Sequence, residues 1–247
     1  MTSDDTQTPA PRATGTPTPR PTGSGVDAFL RKVAATPAPQ VQAGQRGRLL
    51  FALDATASRQ PTWAQASRLQ MEMFSVAAGL GGLEMQVAFY RGFGEFKATP
   101  WLSDGADLLR RMSKVGCIGG HTQIARVLRH ALNQTRERKV AALVFVGDAV
   151  EENPDEICHL AGEMGLNGLP AFLFHEGPDM AAFGVFQQAA RLSGGACCRF
   201  DASSPKDLHD LLSAVAVFAA GGRRALVDYG RRSGSRSVLQ LTHQMGG

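Results

Sequence analysis

Five oxygen-bearing side chains carry the chemistry that this sequence offers. Asp54, Thr56 and Ser58 stand in the run Asp-Ala-Thr-Ala-Ser, Thr122 follows Gly-Gly-His, and Asp148 follows Val-Gly. Carboxylates and hydroxyls are hard oxygen ligands, suited to Mg²⁺, Mn²⁺ or Ca²⁺ rather than to Zn²⁺. Mg²⁺ takes about six oxygens near octahedral geometry and gives up its waters reluctantly. With neutral hydroxyls in direct contact and the carboxylates acting partly through water, such an ion would keep uncancelled positive charge. It would then accept a carboxylate from a partner as its last ligand, which is the chemistry of binding more than of catalysis. The competing reading of the first run is structural: an Asp at a strand end, followed by Thr and Ser, can cap the next helix.

These residues need elements to bring them together. Short apolar runs at 48–54, 83–90, 139–148, 169–174 and 195–200 read as buried strands, and 93–98 as a short strand turning back from 83–90. Between them, 60–80, 103–112, 119–135, 154–166, 181–193 and 205–220 carry apolar residues at steps of three and four, the pattern of amphipathic helices. Pro154 near the first turn and Gly165 near the end bracket the helix at 154–166. Repeated strand–helix alternation predicts an α/β fold, a doubly wound, mostly parallel sheet flanked by helices on both faces. In such sheets, ligands bind beyond the carboxyl ends of the strands, where the strand order reverses. Asp54 falls at the end of the first strand, Asp148 at the end of the strand over 139–148, and Thr122 at the start of the helix over 119–135.

At these three places the sequence resembles the von Willebrand factor A (VWA) domain. That family carries a metal-ion-dependent adhesion site of the form Asp-x-Ser-x-Ser after the first strand, a distant Thr, and a distant Asp after the fourth main strand. Asp54 matches the Asp, Thr56 the first Ser, Ser58 the second, Thr122 the Thr and Asp148 the last Asp. Thr56 departs from the pattern, keeping the hydroxyl but adding a methyl group. The resemblance covers about residues 46–220 and implies a Rossmann-like VWA fold. It also implies a divalent cation, Mg²⁺ or else Mn²⁺ or Ca²⁺, and a protein partner that offers an Asp or Glu. The chain looks most like the intracellular bacterial type, in which the domain is a docking module within larger assemblies and is sufficient as a monomer.

Residues around the five have plainer readings beside functional ones. His121 could line the rim of the site or be a surface residue. Glu151 and Glu152 could tune its field or cap a helix. Tyr90-Arg91-Gly92-Phe93-Gly94 reads first as a turn between strands and second as a partner-contact loop. Cys197 and Cys198, adjacent in a strand, point to opposite faces and suit core packing.

The ends of the chain differ from its middle. Seven of thirteen prolines fall in the first 39 residues, and 1–24 has too little apolar content to offset chain entropy, so it reads as a disordered Pro/Thr-rich arm. Residues 25–45 follow as a short helix and linker, 46–221 as the folded domain, and 222–247 as a basic extension. Residues 1–47 hold five Lys/Arg against three acids and residues 221–247 five against one. Residues 48–220 hold sixteen against eighteen, so the net charge of +4 belongs to the ends. A nucleic-acid partner would therefore have to use the C-terminal segment, with Arg223, Arg224, Arg231, Arg232 and Arg236, and such an RNA- or nucleoprotein-associated role is the alternative reading. No apolar run is long enough for a transmembrane helix, the first residues lack a signal-peptide core, and four scattered cysteines suit a reducing compartment, so the expected location is cytoplasmic. No catalytic constellation is evident, since there is neither GxxxxGK[ST] nor GxSxG. A metal-dependent phosphoester hydrolase is the enzymatic alternative, and it lacks an evident general base.

Overall fold

The computed structural model describes residues 47–61, 63–64, 83–200, 210, 213–219, 225 and 228–229. The arm, the helix and linker before the domain, most of the helix expected over 60–80, part of that over 205–220 and most of the C-terminal extension lie outside these residues.

Six strands form one sheet: β1 (Gly47–Asp54), β2 (Leu83–Arg91), β3 (Glu95–Ala98), β4 (Ala142–Gly147), β5 (Ala171–Glu176) and β6 (Ala196–Phe200). Their order is β3-β2-β1-β4-β5-β6. All neighbours are parallel except β2 and β3, which form the expected turn-back. Four named helices complete the described fold: α1 (Gly105–Met112), α2 (Ile124–Glu137), α3 (Pro154–Leu166) and α4 (Met180–Leu192). Residues 213–219 are helical as well.

Both faces of the sheet are covered, which is why its central strands are apolar throughout rather than alternating. On one face Leu49, Phe51 and Leu53 pack with Val144 and Val146 against Trp63, Leu108, Met112 and residues 214–219. On the other, Leu50, Ala52, Leu143 and Phe145 pack against Ile124, Leu128, Ile157, Met164 and Phe186. Alternate residues of a strand thus feed separate cores, and each large side chain so buried contributes roughly 1.5–3 kcal/mol. Phe145 lies 6.3 Å from the ring of Tyr90 and 5.6 Å from that of Phe186, joining β2, β4 and α4.

Local signals fix where the helices stop and start. Asn153 caps α3 by accepting from the Asp155 amide, Pro154 occupies its first turn, and Asp179 caps α4 by accepting from the amides of Ala181 and Ala182. The helix expected from 119 begins instead at Ile124, so Thr122 precedes it rather than starting it. The cause is a tertiary contact: Gly120 lies so close to Gly92 that an added Cβ would sit 2.0 Å from the Gly92 carbonyl oxygen. The backbone groups that a helical turn would use are engaged elsewhere: the Ile118 carbonyl accepts from the Gly92 amide, and the Thr122 amide donates to Glu151. The strand expected over 139–148 is Ala142–Gly147, and that expected over 169–174 is Ala171–Glu176.

A candidate metal site at the carboxyl edge of the sheet

The strand order reverses between β1 and β4. The chain runs outward from β1 through β2 to β3, then crosses back to β4 on the other side of β1. In register, Leu53 lies opposite Val146, so Asp54 and Asp148 emerge at the carboxyl ends of adjacent strands.

Asp54 is fully buried. Its Oδ1 accepts from the Thr56 amide at 2.8 Å and its Oδ2 from the Tyr90 hydroxyl at 2.9 Å. Burial pushes its carboxyl pKa above the usual aspartate value, the bonds from Thr56 and Tyr90 pull it down, and Asp148 pushes it further up. Burial and the Asp54 charge likewise drive the Tyr90 phenol well above its ordinary value, so it remains a donor. Thr56 has extended backbone, and a single 3₁₀ turn, Ala57–Arg59, follows it. The Thr56 and Ser58 hydroxyls lie 3.1 Å apart. The run after β1 therefore curls into a short turn and not directly into a long helix, which keeps the Thr56 hydroxyl beside Asp54 and the Ser58 hydroxyl beside Thr56.

Thr122 reaches the same edge on a loop tied down at several points. The Ile118 amide donates to the Ala55 carbonyl at 3.0 Å, and the Gly92 amide to the Ile118 carbonyl at 3.4 Å. Thr122 itself is paired with Glu151: its amide donates to Oε2 at 2.8 Å, and its Oγ1 accepts from the Glu151 amide at 3.0 Å. Glu151 lies three residues beyond Asp148, so this pair clamps the loop before α2 to the loop after β4.

Glu152 completes the clamp. Its Oε2 accepts from the Ile124 amide at 2.5 Å and its Oε1 from the Ala125 amide at 2.9 Å. Gln123, the residue at the cap position of α2, makes no side-chain cap of its own. The acidic turn after Asp148 thus caps a helix, as one sequence reading allowed, but the helix is α2 and not the one that follows the turn. A carboxylate suits that place, where free amides and the helix dipole present positive charge.

Arg59 is the residue that the sequence reading missed. It follows Ser58 directly, is 1% exposed, and forms an ion pair through Nη1 with Glu176 at the end of β5. Burial lowers its pKa, while the negative charges of Asp148 and Asp54 support the charged form. An Arg after an Asp-x-Thr-x-Ser run looks like a solvated surface residue, and nothing in the one-dimensional pattern marks it as interior.

Outside this pocket the rim is partly apolar. Phe93 is 85% exposed, held between Gly92 and Gly94 (φ +61° and +140°), and its ring lies 5.2 Å from His121. Ile118 is exposed beside it. His121 also approaches Glu151, with 3.4 Å between Nδ1 and Oε2. Cys197 faces the α2, α3 and α4 side of the sheet as a partly buried packing residue.

Asp148 Oδ1 is a buried acceptor with no hydrogen-bond partner. An unpaired carboxylate oxygen in the interior is costly, and a hard cation or its water shell would satisfy it. Among the described residues no three His, Cys, Asp or Glu side chains cluster as a metal site. Any ion here would therefore rest on two carboxylates and hydroxyls, the composition inferred for Mg²⁺, Mn²⁺ or Ca²⁺.

Against solved structures, the VWA domain of SpRpn10 superposes with a TM-score of 0.56 at 15% identity, over 68% of this chain and 94% of that one. This is the von Willebrand factor A fold. The domain also matches a von Willebrand factor type A protein from Catenulispora acidiphila, with a TM-score of 0.57 and 16% identity over 70% of this chain and 43% of that one. A D319A mutant of the PilB minor pilin from Streptococcus sanguinis aligns with a TM-score of 0.56 at 8% identity, over 72% of this chain and 62% of that one. No family model matches the sequence. No curated protein matches it either. At these identities the VWA likeness is one of fold, and what the site does rests on its own residues. No described helix of the VWA-fold domain is long and apolar enough to cross a membrane.

Proposed function

We propose that this VWA-fold domain is a protein-interaction module in which Asp54, Thr56, Ser58, Thr122 and Asp148 hold a divalent cation. The cation, Mg²⁺ or alternatively Mn²⁺ or Ca²⁺, would supply the positive charge that attracts an Asp or Glu side chain of a protein partner. The observation that carries this reading is the buried, unpartnered Asp148 Oδ1 at the strand-order reversal, beside Asp54.

The chain's own residues support binding rather than turnover. Thr56 and Tyr90 fix the Asp54 carboxylate by hydrogen bonds at both oxygens. Glu151 and Glu152 are engaged by backbone amides, which leaves them poorly placed to act as a general base. Preorganised ligands on two tied loops favour capture with little ordering cost. The exposed Phe93 and Ile118 would add apolar contact beside the captured carboxylate.

The test is a titration of EDTA-treated protein with Mg²⁺ and Mn²⁺, followed by thermal melting and calorimetry, on wild type, Asp54→Ala and Asp148→Asn. Filling a site to about 100 times its dissociation constant adds roughly 2.7 kcal/mol, or on the order of 5–10 °C for a domain of this size. That shift should occur in wild type and vanish in both variants. A wild-type protein whose melting and heat signals ignore both ions would end the metal reading.

A further inference from the structure

The buried Arg59–Glu176 pair has no part in the ligand set, yet it lies across it. Arg59 starts from the turn after β1, and Glu176 ends β5. Between β1 and β5 runs β4, whose end carries Asp148. The register Gly147↔His175 places Glu176 beside Asp148, and His175 Nε2 lies 3.2 Å from the Asp148 carbonyl oxygen. To reach Glu176, the guanidinium must span roughly two strand spacings, about 10 Å, past the end of β4. It thus brings a permanent positive charge into the interior alongside Asp54 and Asp148. Arginine stays charged at any ordinary pH, so it competes for the same field as a metal ion.

We infer that Glu176 is a positioning residue that sets the charge of the metal site by neutralising Arg59. This rests on the cation reading above. Asp54, Asp148 and Glu176 carry three negative charges and Arg59 one positive charge. Among these four groups, the net of two negative charges is what attracts a divalent cation to the site. Without Glu176, the guanidinium would offset one of the two ligand carboxylates, and the site would present a single negative charge. The pair also holds the turn that carries Thr56 and Ser58, so a charge role and a bracing role have to be separated by experiment.

The separation uses charge rescue. Mn²⁺ affinity is measured by electron paramagnetic resonance of the free ion, on wild type, Glu176→Gln, Arg59→Gln and the double variant Arg59→Gln/Glu176→Gln, each checked for folding by circular dichroism. Glu176→Gln keeps the side chain's size and an acceptor for Arg59 but loses the charge, and it should weaken Mn²⁺ binding by about tenfold or more. Arg59→Gln leaves three uncompensated carboxylates and should tighten Mn²⁺ binding relative to wild type. The double variant restores the balance of two negative charges and should bind within about threefold of wild type. Unchanged affinity in Glu176→Gln overturns the inference. So does a double variant no stronger than Glu176→Gln, the result expected of a brace alone. If Glu176→Gln does not fold, Arg59→Gln decides, because looser binding there is incompatible with a charge role. Wild-type protein that binds no Mn²⁺ removes the metal reading itself, and the inference falls with it for that separate reason.

Discussion

Replacing Glu152 with Ala should unfold this domain more easily than any ordinary surface substitution, although Glu152 lies in a loop. Its carboxylate is the only side-chain cap on α2 among the described contacts, accepting from the amides of Ile124 and Ala125. Loss of a side-chain cap costs about 1 kcal/mol, and loss of a negative charge at a helix N-terminus roughly another 0.3–1 kcal/mol. Ile124 and Ala125 are buried, so the released amides regain little from water. The lost cap is the same loss as an unsatisfied buried donor, about 1–3 kcal/mol, so with the charge the whole effect is about 1.3–4 kcal/mol. For a domain of this size that is a drop of about 3–16 °C in melting temperature. Glu152→Gln keeps one acceptor oxygen and should lose about half as much. Urea unfolding followed by circular dichroism in EDTA would measure the change, and amide exchange at residues 124 and 125 would locate it. Arg129→Ala, which breaks the surface ion pair with Glu156 from the middle of α2, is the control, worth about 0.2–1 kcal/mol. A Glu152→Ala protein no less stable than that control, or one with unchanged exchange at 124–125, would refute the capping argument.

Asp54→Asn should abolish stabilisation by Mg²⁺ and yet raise the melting temperature of EDTA-treated protein at pH 7, because it removes a buried charge that the metal-free fold holds at a cost; a lower melting temperature in EDTA would contradict this. Gly120→Ala drives a Cβ into the Gly92 carbonyl and should cost about 1–3 kcal/mol, and it should weaken Mn²⁺ binding by moving Thr122, as read by calorimetry and urea unfolding. His130 is pushed below the usual histidine pKa by burial. Its contribution to stability is therefore complete above the unfolded value of about 6.5 and is lost as pH falls from there through the lower folded value. Melting curves of EDTA-treated protein from pH 7.5 to 5 should slope downward with acidification, and His130→Gln should flatten the slope.

Much of the scaffold is legible along the chain because it rests on local signals. The apolar run ending at Asp54 is a strand because both of its faces are covered, and such a run of strand length bounded by turn residues has few other solutions. Asn153 with Pro154 starts α3 by chemistry within a few residues. Asp54 and Asp148 could be placed at strand ends from hydropathy alone, and the reversal of strand order between β1 and β4 then brings those ends side by side. Where α2 begins was not legible. Its apolar pattern permits an earlier start, and what stops it is the approach of Gly120 to Gly92, a contact between segments about thirty residues apart.

The sequence by itself determined the alternation of strands and helices, the two carboxylates at strand ends and the hydroxyls near them, because periodicity and turn chemistry act over short distances. Only the tertiary structure decided how those groups are held. It gave Glu152 to a helix that precedes it in the chain, gave Thr122 to Glu151, and left Asp148 Oδ1 buried without a partner. It also carried Arg59 inward to Glu176, 117 residues away. A charge is stable in the interior only where an opposite charge meets it, and which distant residue supplies that charge is set by the order of the strands.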